Sequence, residues 1–295
     1  MSKPVISIII PVYRVVKYLP SCLDSLLNQD FSLPYNILLI ESGSDDGSYD
    51  ICKEYHQKYS NVYHFHYEKN DGISIGRNLG LLHANGDYVI FMDGDDMVKR
   101  DFLSSLYQET LNYPDIQVIS AGYSLYDDKK GCVLKTKAGP SYHGRGDKAL
   151  EKLFRDQKYN FYCWAKLYKR DFLIHNHLVF DEKMGMFEDF LFVAKVFACA
   201  NMVSFIKKSI YLYRQHDEST VHTCKDSLSP YLECLVKIKN YLSIYQSETE
   251  KKIFAKPSKK IYKQLKLNCE KSISHYQKKT ATLIKEAKDR LKEIY

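Results

Sequence analysis

The 295-residue chain contains no run of 18 consecutive apolar residues, so no transmembrane helix is expected in it. Its eight cysteines (22, 52, 132, 163, 199, 224, 234 and 269) include no C-x-x-C pair. That argues against zinc ribbons and disulfide-stapled scaffolds, and reduced thiols in the cytosol are the simplest expectation. The short apolar run in MSKPVISIIIPVY lacks a small-residue cleavage site and is broken by Pro11, so it reads as a buried strand and not a signal peptide. There are no internal repeats. A single Trp stands against 25 Tyr; tyrosines suit polar, ring-shaped ligands but also fill ordinary cores, and composition does not choose between these. Acids are scarce only at one end. Residues 251–295 carry 14 Lys and Arg against 4 Asp and Glu, a net of +10, while the whole chain is +7. The basic character therefore belongs to the tail, as in segments that meet anionic membranes or nucleic acid, or that simply stay soluble.

The chain is 45% hydrophobic and 27% charged, enough to bury the core of one large domain or two closely packed ones. Its first 120 residues alternate strand and helix patterns. Strands are expected at 5–10, 36–40, 62–67, 88–92 and 116–120, and helices at 18–29, 48–59, 73–84 and 101–112. In the first helix, Leu19, Cys22, Leu23, Leu26 and Leu27 share one face. Such alternation builds β-α-β units and a mostly parallel α/β sheet. Residues 121–150 are rich in Gly, Lys and Asp and read as irregular or hairpin structure. A helix around 187–200 and an aromatic strand at 210–214 follow, and the pattern is helical from about 226, interrupted near Pro257.

The stretch FMDGDDM (91–97) places Asp93, Asp95 and Asp96 directly after an apolar strand. Like charges that close are costly unless something positive compensates them. A turn would account for Asp and Gly there. The polar clusters that follow the first, second and fourth strands, however, all fall on the carboxyl edge of the sheet, where such sheets bind ligands. A divalent cation is the sharper reading: Mg²⁺ and Mn²⁺ take oxygen ligands, typically one or two carboxylates with phosphates and water.

The segments VISIIIPVY (5–13), LLIESGSDDGS (38–48), NDGISIGRNLG (70–80), GDYVIFMDGDD (86–96), WAKLYKR (164–170), FEDFLF (187–192) and YRQHDEST (213–220) occur in this order. Together they resemble the family 2 glycosyltransferases of the GT-A fold. The resemblance implies a Rossmann-like, mostly parallel sheet with helices on both faces, plus a C-terminal helical extension. It implies a nucleotide-sugar-binding half at 1–120, an acceptor-binding half with the catalytic base at 121–225, and a basic helical region at 226–295. The expected donor is a UDP-sugar. The expected acceptor is a glycan, in particular a lipid-linked one of a bacterial surface polysaccharide, lipopolysaccharide or capsule.

By this resemblance Pro11 and Tyr13 line the base pocket, with Tyr13 against the uracil. Glu41 stands where the family usually has the first of two adjacent aspartates, so a carboxylate remains, one methylene longer, to hydrogen-bond the base. Asn70 and Arg77 belong to the donor site, with Arg77 pairing with the diphosphate or with Asp93, both suited to a guanidinium fork. Asp95 would ligate Mn²⁺ or Mg²⁺, Asp93 would contact the ribose or the metal's water shell, and Asp96 would support Asp95 or cap the following helix. The cation would neutralise charge on the departing diphosphate. Asp189 is the expected general base, with Glu188 orienting its neighbours or the acceptor, and such a single displacement inverts the anomeric configuration. His216 is a further candidate for the metal or the diphosphate, and Trp164, Lys166 and Arg214 are candidates for the acceptor side.

Two rivals are weighed. A haloacid-dehalogenase-like phosphatase also carries Asp-x-Asp after a strand, but on its first strand and followed by Gly-Thr; here the strand is the fourth and Met97 follows Asp96. A non-catalytic, membrane-associated sugar-nucleotide binding module is disfavoured by the intact acids at 93, 95 and 189. In the tail, apolar positions 261, 265, 269, 273 and 276 recur at spacings of four and three, with lysines beside them. That pattern suits a basic amphipathic helix on an anionic bilayer, or a helix packed on the catalytic domain. The expected location is cytoplasmic, peripheral on the inner face of the cell membrane, with no nucleic-acid partner.

Overall fold

The computed structural model describes residues 3–155, 159–216 and 228–244. The elements run β1 (Ile6–Val12), α1 (Leu19–Leu27), β2 (Tyr35–Ser42), α2 (Ser48–Lys58), β3 (Val62–Tyr67), α3 (Ile73–His83), β4 (Tyr88–Phe91), β5 (Met97–Val98), α4 (Phe102–Asn112), β6 (Val118–Asp127), β7 (Cys132–Lys137), β8 (Tyr142–Gly144), α5 (Gly146–Arg155), β9 (Lys166–Lys169), α6 (Arg170–His175), α7 (Glu188–Cys199), β10 (Val203–Gln215) and α8 (Leu228–Ile244).

The strands form one sheet in the order β3-β2-β1-β4-β9-β6-β10-β5, with β7 beside β6 and β8 beside β10. β1, β2, β3 and β4 are mutually parallel, and β6 is parallel to β10. β9 lies antiparallel between β4 and β6 and joins the two parallel groups. The fold is therefore α/β with a mostly parallel sheet, as expected. One expected boundary meets a continuous structure: β6 runs across residue 120, so the described residues on either side of it contribute to one sheet.

The apolar runs of β1 and β2 are buried on both faces, as parallel strands under helices must be. Ile6, Ile8, Ile10 and Val12 face a cluster with Leu19, Cys22 and Leu23 of α1 and Phe102, Leu103 and Leu106 of α4. Ile9 faces the opposite cluster, with Leu81 of α3, Leu150 of α5, Phe192 and Val196 of α7 and Leu235 of α8. Pro20 opens α1, where a missing N–H costs nothing. Gly80 lets α3 lie against β1: a Cβ there would sit 2.1 Å from Ile9 Cγ2.

The region read as irregular or hairpin is a β6/β7 hairpin followed by the short strand β8 and helix α5. α5 was not expected. Its apolar set Ala149, Leu150, Leu153 and Phe154 has helical spacing, short enough to be lost among the neighbouring Gly and Lys. β6 and β10 are longer than their expected cores, because each pairs along its length with the other. The tail at 251–295, with its amphipathic stripe, lies outside the described residues.

Candidate active site

The strand order reverses between β1 and β4: β1 leads to β2 on one side, while β4 lies on the other. A crevice at the carboxyl ends follows from that reversal. Into it come Pro11, Val12 and Tyr13 from β1, Glu41 from β2, and Asp93, Asp95 and Asp96 from the end of β4.

The loops after β1 and β2 are tied together. Arg14 forms a two-pronged ion pair with Asp45, 2.7 Å on each arm, and the Val15 and Val16 amides donate to Ser48 Oγ and Asp46 Oδ2. Beside this wall Tyr13 is 38% exposed, leaving its ring open to a ligand. Glu41 is fully buried, and both its oxygens are engaged: one accepts the Ser44 amide at 2.6 Å, the other meets His66 Nδ1 at 2.6 Å. Asn70 is exposed and accepts the Gly72 amide at 3.0 Å, shaping the turn into α3.

Arg77, on α3, is almost wholly buried and its fork spans two elements. One terminal nitrogen donates to Asp93 at 2.8 Å, and the other donates to Glu188 on α7 at 2.8 Å. Its guanidinium lies 5.2 Å from the Phe180 ring centroid. Two acids, 95 residues apart in sequence, thus share one cation. Burial raises the Asp93 carboxyl above the ordinary range, against the pull of Arg77.

α7 begins abruptly. Phe187 adopts a left-handed backbone, φ 62°, unusual for a bulky residue and characteristic of functional turns. This turn puts Glu188 and Asp189 in the first helical turn, where negative charge is favoured by the helix dipole. Asp189 accepts the Phe190 amide at 2.7 Å. Burial, with the charge of Glu188 beside it, pushes the Asp189 carboxyl up to about 7, against the opposing effect of Arg77.

The acid turn after β4 is held from β10. Asp96 is fully buried and accepts the Tyr211 hydroxyl at 2.5 Å and the Arg214 amide at 2.8 Å. It therefore supports the turn and does not cap α4, whose capping position is Asp101. Burial and the charges of Asp95 and Asp93 raise Asp96 well above the usual carboxylate range. Asp95 pairs with His216 Nε2 at 3.0 Å, and the His216 ring stacks at a tilt on Tyr18, 4.2 Å between centroids.

Asp93 and Asp95 supply the carboxylate oxygens that a hard divalent cation takes, although their ligand atoms and those of His216 do not converge into one trio in this structure. The Asp93 and Asp95 side chains are 25% and 26% exposed at the mouth of the crevice, and the acids together form an excess of negative charge that raises Asp96. His216 adds a ring nitrogen at Asp95.

The structure buries the three acceptor-side candidates. Trp164 is 2% exposed, with its ring stacked between Tyr162 and Tyr211 at 4.3 and 4.4 Å, so neither face is open to a sugar. Lys166 is fully buried and donates to Asn160 and to the Tyr162 carbonyl, and burial pushes its ammonium down to about 7. Arg214 is 6% exposed and committed to Asp128, Ser21 and the Asp95 carbonyl, each at 2.6 Å. It is a brace for the acid turn. The residues not singled out in the sequence are Tyr18, Tyr211 and Asp128, whose roles arise from pairing across distant segments that no local spacing marks.

The comparisons with known proteins bear on the family and the fold. The Glycosyl transferase family 2 model matches residues 7–176, more than half of the chain. The chain is 30% identical over 266 residues to "Glycosyltransferase GlyA" of Streptococcus pneumoniae, covering 83% of this chain and 37% of that one. It is 28% identical over 218 residues to "Uncharacterized glycosyltransferase EpsJ" of Bacillus subtilis, covering 73% of this chain and 62% of the other. The chain thus spans little more than a third of one relative and under two thirds of the other. Among solved structures, S. aureus TarS residues 1–349 in complex with UDP-GlcNAc matches with a TM-score of 0.70 at 21% identity, over 85% of this chain and 70% of that one, a likeness of fold. With motifs, sheet order and family model in agreement, the chain belongs to glycosyl transferase family 2.

Proposed function

We propose that the protein is a metal-dependent, inverting glycosyltransferase that moves a sugar from a UDP-sugar to an acceptor hydroxyl during synthesis of a bacterial surface glycan. The observation that carries this reading is the double ion pair of Arg77. It joins Asp93, on the nucleotide side of the crevice, to Glu188, whose neighbour Asp189 is poised as a base. In this reading residues 1–120 hold the donor, 121–225 carry the acceptor side and the base, and 226–295 form the basic region.

Pro11 and Tyr13 line the base pocket, and Glu41, buried here against Ser44 and His66, would have to turn outward to read the base edge. Asn70 shapes the turn that brings α3 to the donor, and Arg77 fixes Asp93 for the ribose or diphosphate. Asp95, with Asp93 and His216, would hold Mn²⁺ or Mg²⁺, which as a Lewis acid neutralises charge on the departing diphosphate. Asp189 takes the proton of the acceptor hydroxyl as that oxygen attacks the anomeric carbon. A carboxyl near 7 suits this task at neutral pH, because the basic form is well populated and the proton is readily accepted. Glu188, pinned by Arg77, keeps the start of α7 in place.

A UDP-sugar donor is supported by family membership and by the fold shared with a protein whose complex contains UDP-GlcNAc. A glycan acceptor on a lipid carrier, and a location at the inner face of the cell membrane, are supported by the basic tail and by family analogy. No described helix is long and apolar enough to cross a membrane.

The test is a panel of nucleotide-sugars with Mn²⁺, scoring thermal stabilisation and donor hydrolysis. UDP-sugars should stabilise the protein and be hydrolysed, and added chelator should remove both effects. Equal response to every nucleoside diphosphate would overturn the uridine assignment, and no hydrolysis or transfer with any donor would leave a binding module.

A further inference from the structure

Beyond the acid turn, a second group of metal-ligating side chains lies at the β2–β3 edge. β2 and β3 are parallel, and their register sets Glu41 opposite His66 and Leu39 opposite His64. Side chains two apart on a strand share a face, so His64 and His66 project to the same side as Glu41. One oxygen of Glu41 and one nitrogen from each imidazole lie within 4.8 Å of one another, the only such trio of His, Cys, Asp or Glu among the described residues. His66 Nδ1 already meets Glu41 Oε2 at 2.6 Å.

His64 Nε2 is buried and has no hydrogen-bond partner. A buried ring nitrogen without a partner is costly, and a bound cation is one way to satisfy it. Tyr49 of α2 packs edge-on against both rings, at 5.2 and 4.9 Å, and fixes their orientation. The His66 side chain is 42% exposed, so the trio is open to solvent on one side. Two imidazoles and one carboxylate, with room for water, match the donor set of a borderline transition ion such as Zn²⁺ and not that of Mg²⁺.

We propose that Glu41, His64 and His66 form a second, zinc-class metal site, separate from the acid turn, and that an ion bound there withdraws Glu41 from the nucleobase. The first half rests on the trio alone. The second rests on the reading of Glu41 as the base contact. Binding would exchange the His66–Glu41 hydrogen bond for bonds from both side chains to the metal. Zn²⁺ would then act as a brake on donor binding, at side chains other than those of the acid turn.

The experiment is a Zn²⁺ titration of chelator-stripped, reduced full-length protein against a chromophoric zinc indicator. The chain has other cysteines and histidines, so the readout is a difference. Wild type should bind one equivalent more than the doubly substituted His64→Ala, His66→Ala protein. His66→Ala alone changes only the exposed member and should weaken that equivalent at least tenfold while the far-UV circular dichroism in chelator stays that of the folded protein. Millimolar Mg²⁺ should not displace it. Equal stoichiometry and affinity in wild type and both variants would overturn the site. In a second arm, UDP binding without added sugar is measured with and without one equivalent of Zn²⁺. Wild type should lose UDP affinity at least tenfold and His66→Ala should not. Unchanged UDP affinity in zinc-loaded wild type would overturn the competition, and the titration would still judge the metal site by itself.

Discussion

At the scale of single residues, the Asp189 carboxyl holds its proton below about 7 and releases it above. Only the released form can act as a base. Turnover should therefore fall about tenfold per pH unit below that value and level off above it, as read from the acidic limb of a kcat/KM profile. Asp189→Asn should abolish the limb and cut transfer by about 10²–10⁴-fold with donor affinity unchanged. Loss of donor affinity with normal transfer at saturation would assign Asp189 to binding instead. Asp95→Ala should lower turnover by orders of magnitude without unfolding the protein, and near wild-type activity of that variant, or of the unaltered enzyme in excess chelator, would refute the metal assignment. The aspartates were legible because position relative to a strand end is written in local sequence. Trp164 and Lys166 were not, because the burial of Trp164 depends on Tyr211, from a strand far along the chain, and Lys166 sits in β9, paired with β6 more than 40 residues earlier. Glu41 was legible as a carboxylate, yet its pairing with His66 was not, although the alternating H-x-H in VYHFHY is the signal that could have revealed it.

At the scale of elements, Arg77 couples α3, the end of β4 and the start of α7. Arg77→Ala would leave Glu188, with 11% of its side chain exposed, and Asp93 without their cation. Removing one partner of such a buried pair costs about 3–5 kcal/mol, which urea unfolding would detect as a lowered midpoint. A companion Glu188→Gln substitution keeps a hydrogen-bond acceptor for Arg77 and should cost less; equal losses would deny the link its role. The β-α-β units up to β4 were readable to within two residues, because parallel strands buried on both faces give continuous apolar runs between amphipathic helices. β9 was not, because a four-residue strand in WAKLYKR is defined by its antiparallel neighbours β4 and β6 and not by its own pattern. The full length of β10 was hidden for a similar reason: Lys207 and Lys208 interrupt its apolar run, and its pairing with β6 shifts register there.

At the scale of the whole molecule, charge is the outstanding asymmetry. The +10 of residues 251–295 predicts that full-length protein co-floats with liposomes of anionic lipid at low salt and is released at high salt. A version ending at residue 250 should remain in solution while still hydrolysing donor. Equal flotation of both versions, or of neither, would remove the membrane role of the tail. The clamp on the acid turn bears on the order in which the chain becomes competent. Asp96 is satisfied by Tyr211 and the Arg214 amide, and Asp95 by His216, across sequence separations of 115, 118 and 121 residues. A nascent chain that has emerged only as far as α4 possesses β1 to β4 and all three aspartates, with Arg77 to hold Asp93 yet nothing to hold Asp95 or Asp96. Such a fragment carries a carboxylate destined for burial with no partner, and closing so long a loop costs entropy before its contacts repay it. Donor binding should therefore appear late during synthesis, once β10 has docked, which keeps an unfinished polypeptide from capturing nucleotide-sugar it cannot use.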